Sequence, residues 1–262
     1  MLGLKAIILN LYKAGIRPVF KKISLIQIFY TLLYTFPESS FAVFHADLTA
    51  TTNNIERWFT KSANHFALKA TIDYEHSSGL YLGSSASNIE YEFKGNEGQA
   101  ANFEIIPYLG YSYSFSDDWR MDTQWSRYLY DGNVFGHPAD YNEYYLFLHY
   151  QDFISSRISF ADNYYNLGSY AIDYQLTGRY PLTDYLEFST SFGYSQTKAV
   201  LGSDYPYWNV GGTYFYKFVS LDFRYIDATE TSIDQAVEAI KHESYDPPLI
   251  GPTFLFSVSV GY

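Results

Sequence analysis

Charged side chains recur at alternate positions of several otherwise apolar segments, and this spacing is the feature of the sequence that could do chemistry. Successive side chains of a β-strand point to opposite faces, so these charges would share one face of a sheet while aromatic and aliphatic residues cover the other. Acidic and basic side chains that surround a lumen can select ions by charge. The predicted pore-lining residues are Lys69, Asp73, Glu104, Arg120, Asp122, Arg157, Asp173, Arg179, Glu187, Asp222 and Arg224.

Both signs of charge occur on this predicted inner face, and two interpretations follow. Paired charges could close the lumen as a salt-bridged plug, or opposed charges could line a narrow aqueous channel. A barrel of about eight strands is filled by its own side chains, whereas sixteen to eighteen strands leave a clear channel. A barrel of intermediate size favours a narrow channel over a wide one.

The serines and histidines give no convincing catalytic or metal site. Barrel enzymes such as phospholipases and lipid A deacylases place a Ser and a His within hydrogen-bond reach at the lipid-facing rim. His76-Ser77 is the nearest candidate in the sequence, but it lies in a predicted turn, where Ser is common. His149 could face either side of its strand, and a lone His is more often structural. His242-Glu243 has no second His or Cys at metal-ligand spacing. The sequence therefore predicts no catalytic residue, no metal and no cofactor.

The elements that must position the charges are strands. Segments such as Leu186–Gln196 and Val219–Asp227 alternate between apolar and polar residues, as strands do and helices do not. Twelve strands are predicted, at 48–58, 65–74, 80–93, 103–115, 119–130, 142–150, 154–164, 170–180, 186–197, 207–216, 219–227 and 252–262. Short connections alternate with longer ones, and this asymmetry is typical of an outer-membrane barrel.

The composition favours such a barrel. Aromatic residues make up 21% of the chain, with 29 Tyr, 21 Phe and no Cys, and Tyr suits a membrane–water boundary because its ring is apolar and its tip polar. The mean hydropathy of −0.18 is too polar for a bundle of membrane helices. Without residues 1–42, the chain keeps 12 basic and 27 acidic residues, a net charge of −15, which argues against binding of nucleic acid.

Residues 1–42 are interpreted as a signal peptide. Lys21-Lys22 precede an apolar run, Ile23 to Phe36, which at about 14 residues is shorter than the roughly 20 that span a bilayer. Small residues at Ser40 and Ala42 favour cleavage after Ala42, with Ala46 the second choice. An over-extended start and an uncleaved anchor are the alternatives. Residues 43–262 then form a single barrel domain.

The ordered set of short aromatic motifs resembles one known family. These motifs are Asp73 to Glu90, Tyr108 to Tyr111 with Asp122, Asn142 to Tyr144, Tyr180 to Leu182 with Gly193-Tyr194, and Tyr207-Trp208 through Asp227. Together they resemble the TorF-type porins of proteobacteria, long treated as a conserved hypothetical family (Gcw_chp), over roughly residues 48–262. The first strand of that family usually reads T-S-D-Y-R-F-R-G, from which Thr51–Trp58 departs. The resemblance implies an outer-membrane barrel of porin type and brings no established substrate or site residue.

The sequence thus predicts an all-β fold, a transmembrane antiparallel up-and-down β-barrel of about twelve strands in the bacterial outer membrane. Its predicted function is passive diffusion of small hydrophilic solutes or ions. The alternatives are a structural or adhesive barrel without conductance and, third, a lipid-modifying enzyme. Expected partners are outer-membrane lipid, small solutes or ions, and the barrel-assembly machinery through the C-terminal strand 254–262. A short helix is predicted within 234–242 of the longest loop.

Overall fold

The computed structural model describes residues 42–57, 59–90, 99–201, 204–228 and 251–262. Within them, twelve antiparallel strands form a closed barrel in which strands adjacent in sequence are neighbours and the last strand pairs with the first. The prediction of an up-and-down barrel is confirmed. The strands are β1 (Ala42–Thr51), β2 (Ala67–His76), β3 (Leu80–Asn88), β4 (Phe103–Ser114), β5 (Trp119–Tyr130), β6 (Tyr141–Tyr150), β7 (Ile154–Ala161), β8 (Ala171–Thr183), β9 (Leu186–Gln196), β10 (Tyr205–Tyr216), β11 (Val219–Ala228) and β12 (Thr253–Gly261).

Closure joins β1 to β12, with Asp47 opposite Gly261 and Thr51 opposite Ser257. Ala46 and Tyr262 exchange two backbone hydrogen bonds of 2.9 and 2.8 Å at the end of this seam. Closure leaves no strand edge with unpaired backbone groups, and a bilayer requires this because lipid offers no hydrogen-bond partners.

The two ends of the barrel differ in the length of the segments that connect the strands. Segments 77–79, 115–118, 151–153, 184–185 and 217–218 are short, and the end that they share, called here the turn side, also holds the start of β1 and the end of β12. Segments 52–66, 89–102, 131–140, 162–170, 197–204 and 229–252 connect the strands at the other end, called here the loop side. Short turns at one end and longer connections at the other are the asymmetry that outer-membrane barrels show.

The faces of the wall follow the predicted alternation. Phe192 and Phe223 are 59% and 54% exposed, whereas Ser191, beside Phe192 in sequence, is 6% exposed. Tyr111, Tyr113, Tyr194 and Phe256 are also exposed, as predicted. A wide apolar surface on the outside of a barrel requires an apolar environment, which lipid supplies.

Tyrosines on the inner face cover glycines of neighbouring strands, as Tyr108 covers Gly83. The ring of Tyr81 lies where a β-carbon on Gly110 would be, and Tyr207 lies in the same way over Gly193. Any side chain at these glycines would displace a ring. The glycines therefore let large inner-face rings lie flat against the wall.

The predicted first strand, 48–58, was wrong. The first strand is β1, which ends at Thr51, while Ile55–Glu56 and Phe59–Thr60 form a separate two-stranded ribbon. Positions 46 and 50 on the outer face of β1 are alanines. The alternation of apolar and polar residues is therefore weak in this strand. β1 pairs along its whole length with β2, which is the second strand of the barrel.

Smaller differences lie at strand ends and in the longest loop. The predicted strand 154–164 ends at Ala161, because Tyr164–Asn166 forms a 3₁₀ turn in which Tyr165 has φ = 48°. Residues 91–93 of the predicted third strand and the predicted helix at 234–242 lie outside the described residues. In the described part of the chain, no helix is long and apolar enough to cross a membrane.

The apolar core lies on the loop side. Tyr128 and Tyr141 stack with ring centroids 4.4 Å apart, and Tyr164 and Tyr165 pack against Tyr141 at 5.2 and 5.1 Å. The other members of this buried cluster are Ile89, Ala101, Val134, Ala139, Ala161 and Ala171. Connecting segments and strand ends therefore pack together over the loop side of the lumen.

Candidate functional site in the barrel lumen

The register places all eleven predicted charged residues on the inner face of the wall. Directly paired residues of antiparallel strands lie on the same face. Lys69 and Glu104 both pair with the buried Ser87, and Arg179 pairs with the buried Ser189. The side chains that alternate with them, such as Leu68, are exposed on the outside.

The same register resolves the orientation of β6, which the sequence left open. Tyr144, Leu146 and Leu148 are exposed on the outer face, and Glu143 is buried. His149 pairs with the inner-face Arg120. The inner face of β6 therefore carries Glu143, Tyr145, Phe147 and His149, an unusual row of aromatic rings with a carboxylate at one end.

The segment between β1 and β2, residues 52–66, folds into the loop side of the lumen and is called here the inserted segment. Asn53 organises it locally: its Oδ1 accepts hydrogen bonds from Thr60 Oγ1 at 2.6 Å and Ser62 Oγ at 3.0 Å. Arg57 has φ = 46°, so the chain turns sharply there. The result is a small folded unit that presents two cations, Arg57 and Lys61, to the barrel wall.

Arg57 binds three strands of the wall. Its Nη2 forms an ion pair with Glu143 on β6 and donates to Ser159 Oγ on β7 at 2.9 Å, and its Nε lies 3.6 Å from Asp173 Oδ1 on β8. Burial opposes the charged form, but Glu143 and Asp173 outweigh it and hold the pKa of Arg57 well above its ordinary value. Arg57 is therefore a buried cation that depends on its carboxylate partners.

Lys61 makes an equivalent contact with another strand of the wall. Its Nζ lies 2.6 Å from Glu104 Oε2 on β4 and 2.8 Å from Glu56 Oε2, and it lies 5.3 Å from the ring centre of Tyr128. Burial opposes the charge, but Glu104 and Glu56 hold the pKa of Lys61 well above its ordinary value. Burial likewise opposes ionisation of Glu56, yet Lys61 and Arg57 hold the pKa of Glu56 well below its usual range.

The sequence did not identify Arg57, Lys61 or Glu143 as site residues. Arg57 and Glu56 fell in the wrongly predicted first strand, and Glu143 was hidden because both faces of β6 are rich in aromatic residues. The available signal was the departure of Thr51–Trp58 from the opening motif of the family. Of the predicted pore-lining residues, Glu104, Arg157 and Asp173 belong to the ionic network of the inserted segment, since Arg157 Nη2 donates to Asp173 Oδ1 at 2.9 Å.

Most of the other predicted charges lie on the turn side, where the lumen retains space. A cavity of about 300 Å³ is lined by Asp73, Glu75, Tyr81, Tyr108, Ser112, Arg120, Asp122 and Gln124. A second of about 310 Å³ at the turn-side mouth is lined by Ser114, Ser116, Asp117, Asp118, Trp119, Arg120, His149, Gln151 and Asp152. Arg224 and Asp222 form a partly exposed ion pair of 2.9 Å on this side. These walls are polar and accessible to water.

Ser–His contacts lie in a turn and in the lumen. His76 Nδ1 is 2.9 Å from the exposed Ser78 Oγ in the first turn, so the predicted neighbour Ser77 is not its partner in this hydrogen bond. His149 Nδ1 is 2.8 Å from Ser155 Oγ on the inner wall. Among the described residues, no group of three or more His, Cys, Asp or Glu side chains could hold a metal ion.

A comparison with family models assigns the chain to a family. A family model described as a bacterial protein of unknown function (Gcw_chp) matches residues 36–249. The chain belongs to this family. No curated protein matches the sequence.

Solved structures similar to this Gcw_chp protein are barrels of low sequence identity. The KdgM porin aligns over 83% of this chain and 98% of its own, with 11% identity and a TM-score of 0.49. The COG4313 outer membrane channel from Pseudomonas putida F1 aligns over 86% and 96%, with 9% identity and a TM-score of 0.45. A structure from work on in-meso crystallization of membrane proteins aligns over 84% and 83%, with 12% identity and a TM-score of 0.50. At these identities the likeness concerns the fold alone.

This Gcw_chp protein is a porin-like β-barrel of the bacterial outer membrane. The assignment follows from the closed antiparallel sheet, the exposed aromatic and aliphatic exterior, and the short-turn and long-loop ends.

Proposed function

We propose that this Gcw_chp barrel is a narrow passive-diffusion channel for small hydrophilic solutes, principally inorganic cations, and that the inserted segment is its constriction. The observation that carries the proposal is the charged inner face of a closed twelve-stranded barrel, which adjoins polar cavities on the turn side. Twelve strands enclose more space than their own side chains fill, yet less than a wide porin. The inserted segment then reduces the path further on the loop side.

The cation preference rests on the cavity walls. The two turn-side cavities together present Asp73, Glu75, Asp117, Asp118, Asp122 and Asp152 against one arginine, Arg120. Carboxylates concentrated at a mouth with low-dielectric walls raise the local concentration of cations. We expect the reversal potential in a KCl gradient to indicate selection for K⁺. The double variant Asp73→Asn/Glu75→Gln should weaken this selection, and the loop-side variant Asp131→Asn should leave it unchanged.

The test of conduction uses single-channel recording in planar bilayers. The wild-type barrel should show small, discrete conductance steps. Replacing residues 53–64 with the same number of Gly and Ser residues should raise the conductance, because the folded unit and both of its cations are lost. Arg57→Gln/Lys61→Gln changes only the two cations of the segment. It should also raise the conductance, because the segment is then released from the wall. Folded barrels without conductance in all three proteins would overturn the proposal.

One observation favours a second candidate, a structural barrel without conductance. The aromatic cluster and the buried ion pairs of the inserted segment occupy the loop side of the lumen. If the Gly/Ser replacement conducts and the wild-type protein does not, the inserted segment is a plug, and the barrel is structural in the state described here.

The proposal includes delivery to the membrane. Removal of residues 1–42 as a signal peptide would leave β1 intact from Val43 onward, whereas cleavage after Ala46 would remove half of its pairing with β2. We propose cleavage after Ala42, followed by recognition of strand 254–262 by the barrel-assembly machinery. The mass of the protein extracted from outer membranes decides between the two cleavage positions.

A further inference from the structure

Three inner-face residues on neighbouring strands form a hydrogen-bonded chain that conduction does not require. They are Asp122 on β5, His149 on β6 and Ser155 on β7. His149 and Ser155 are directly paired in the β6–β7 register. Both ring nitrogens are engaged, since Nδ1 lies 2.8 Å from Ser155 Oγ and Nε2 lies 3.0 Å from Asp122 Oδ2.

The partners determine where the protons lie. An ionised carboxylate only accepts hydrogen bonds, so the ring nitrogen that faces Asp122 carries the proton, and the other nitrogen of a neutral imidazole is then an acceptor. Arg179 Nη1 donates to Ser155 Oγ at 2.8 Å, and a guanidinium accepts nothing in return. The hydroxyl proton of Ser155 is therefore directed to Nδ1 of His149. This order, hydroxyl to imidazole to carboxylate, is that of an activated serine nucleophile.

The hydrogen-bonded chain of Asp122, His149 and Ser155 is held on rigid elements. All three residues lie on hydrogen-bonded strands of the barrel wall, and the ring of Phe147 lies nearly parallel to that of His149, with 12° between the planes and 6.1 Å between the centres. Arg120 Nε lies 3.4 Å from Asp122 Oδ2 and helps to fix that carboxylate. Strand-borne side chains keep such a geometry better than residues of loops do.

Two members of the cluster line cavities on the turn side, and the third, Ser155, is partly exposed. His149 and Arg120 line the cavity of about 310 Å³ at the mouth, and Asp122 lines the adjoining one of about 300 Å³. These volumes suit a small molecule. Asp117, Asp118 and Asp152 line the outer cavity and repel anions. The accessible ligand is therefore small, hydrophilic, and either neutral or cationic.

We propose that Ser155 is a nucleophile for acyl transfer and that the turn-side lumen hydrolyses short-chain esters of small hydrophilic alcohols. The Ser155 Oγ forms a bond to the ester carbonyl carbon while its proton passes to His149 Nδ1. The carbon–oxygen bond to the alcohol then breaks, and the alcohol leaves with that proton. Water gives its proton to the same nitrogen and attacks the acyl-serine, and the acid leaves as Ser155 regains its proton.

Arg179 and Asp122 have distinct roles in this reaction. The Nη1 of Arg179, which is already 2.8 Å from Ser155 Oγ, is placed to donate to the oxyanion that develops on the carbonyl. Asp122 is a positioning residue, because it touches His149 and not the substrate. The lipid-facing enzyme considered from the sequence differs from this site, which opens into the lumen.

The test treats the full-length protein, extracted from outer membranes in detergent, with a neutral fluorophosphonate probe and with p-nitrophenyl acetate. Mass spectrometry should place the phosphonyl group on Ser155. Ser155→Ala should abolish the label, and Ser155→Ala and His149→Ala should each lower ester turnover by about 100-fold or more. Asp122→Asn should slow labelling strongly, and Asp122→Glu, which restores the carboxylate, should recover part of the rate.

The matched control is Ser191→Ala, an inner-face serine whose hydroxyl bonds to Thr177 Oγ1 at 2.8 Å and has no His partner in this contact. It should label as the wild-type protein does. The folded state of each variant is checked by circular dichroism. Folded wild-type protein without label on Ser155, or labelling that persists in folded His149→Ala, would overturn the assignment. Labelling needs no ion flow, so a non-conducting barrel that labels would contradict the proposed channel and leave this site standing.

Discussion

The loop side and the turn side of the lumen use the same alternating strands but treat charge differently. On the loop side, Glu104 and Glu143 are almost fully buried against Lys61 and Arg57. On the turn side, Asp222 and Arg224 pair with each other on the wall and stay partly exposed. An inward-facing charge that the inserted segment covers therefore holds that segment in place. An inward-facing charge that no described residue covers is available to solutes.

The difference has an energetic consequence. Removing one partner of a buried ion pair leaves an uncompensated charge in a poorly solvated place, whereas exposed pairs contribute little because water replaces the lost partner. Equivalent carboxylate substitutions on the two sides should thus have very different costs.

The largest expected effect is that of Glu143→Ala. Loss of this carboxylate leaves Arg57 with the more distant Asp173 and Glu56, at 3.6 and 4.0 Å, and should weaken the anchoring of the inserted segment by about 3–5 kcal/mol. Trypsin should then cleave after Arg57 or Lys61 in the variant and not in the wild-type barrel. Glu187→Ala on the turn side is the matched control and should leave the segment protected. Equal protection of both variants would show that the ion pair does not hold the segment.

A second comparison sets the outer face of β12 against its inner face. Val258→Arg would place a cation toward lipid and should cost about 2–4 kcal/mol of membrane-inserted stability if the residue lies near the midplane. Ser257→Arg points into the lumen, where Asp222 is the directly paired residue, and should be better tolerated. Urea titration of the barrels in lipid vesicles ranks the two. The reverse ranking would mean that the assigned faces of β12 are exchanged.

The fold was largely predictable from the sequence because lipid imposes a strict period on strands. Residues such as Phe192 and Ser191 identify the face of their strand without tertiary information, and the even strand number places both ends on one side. The first strand was mispredicted for a physical reason. The alanines at 46 and 50 lie on the outer face of β1 but are only weakly apolar. Ile55 and Glu56 alternate as strand residues do, but they belong to a separate two-stranded ribbon.

The site was predictable only in part. Alternation assigns Glu104 and Asp173 to the inner face, but it cannot reveal that a segment distant in sequence covers them. The contact between Arg57 and Glu143 spans 86 residues and depends on how the inserted segment folds. The Asp122–His149–Ser155 chain likewise needs the register of three strands, since shifting any one strand by a single residue would turn its residue to the outer face.

A smaller effect is expected where the inserted segment meets β10. The buried Tyr205 hydroxyl donates to the backbone carbonyl of Arg57 at 3.0 Å, so Tyr205→Phe should destabilise the segment by about 0.5–1.5 kcal/mol. Tyr225, whose hydroxyl donates to Asp227 Oδ2 at 3.1 Å on the outer face, is the control. Tyr225→Phe should have less effect on protease protection of the segment. A larger loss of protection in Tyr225→Phe would contradict the role given to Tyr205.

The smallest expected effect is the loss of protease protection of the inserted segment in acid, through protonation of Glu56. Burial opposes its ionisation, but Lys61 and Arg57 hold the pKa of Glu56 well below the ordinary 4.5. When the segment is released, this carboxyl group regains its ordinary pKa, so below about pH 4.5 the released state takes up a proton that the docked state does not. The contribution of Glu56 to docking of the segment is therefore complete above that pH and declines as the pH falls toward the depressed pKa.

Acid-stable pepsin should cleave the wild-type segment progressively faster between pH 4.5 and 3. Glu56→Gln should already be cleaved faster than the wild-type protein at pH 4.5 and show a weaker change over the acid range, because the titrating group is gone. An identical pH profile in both proteins would show that Glu56 does not couple docking of the segment to pH.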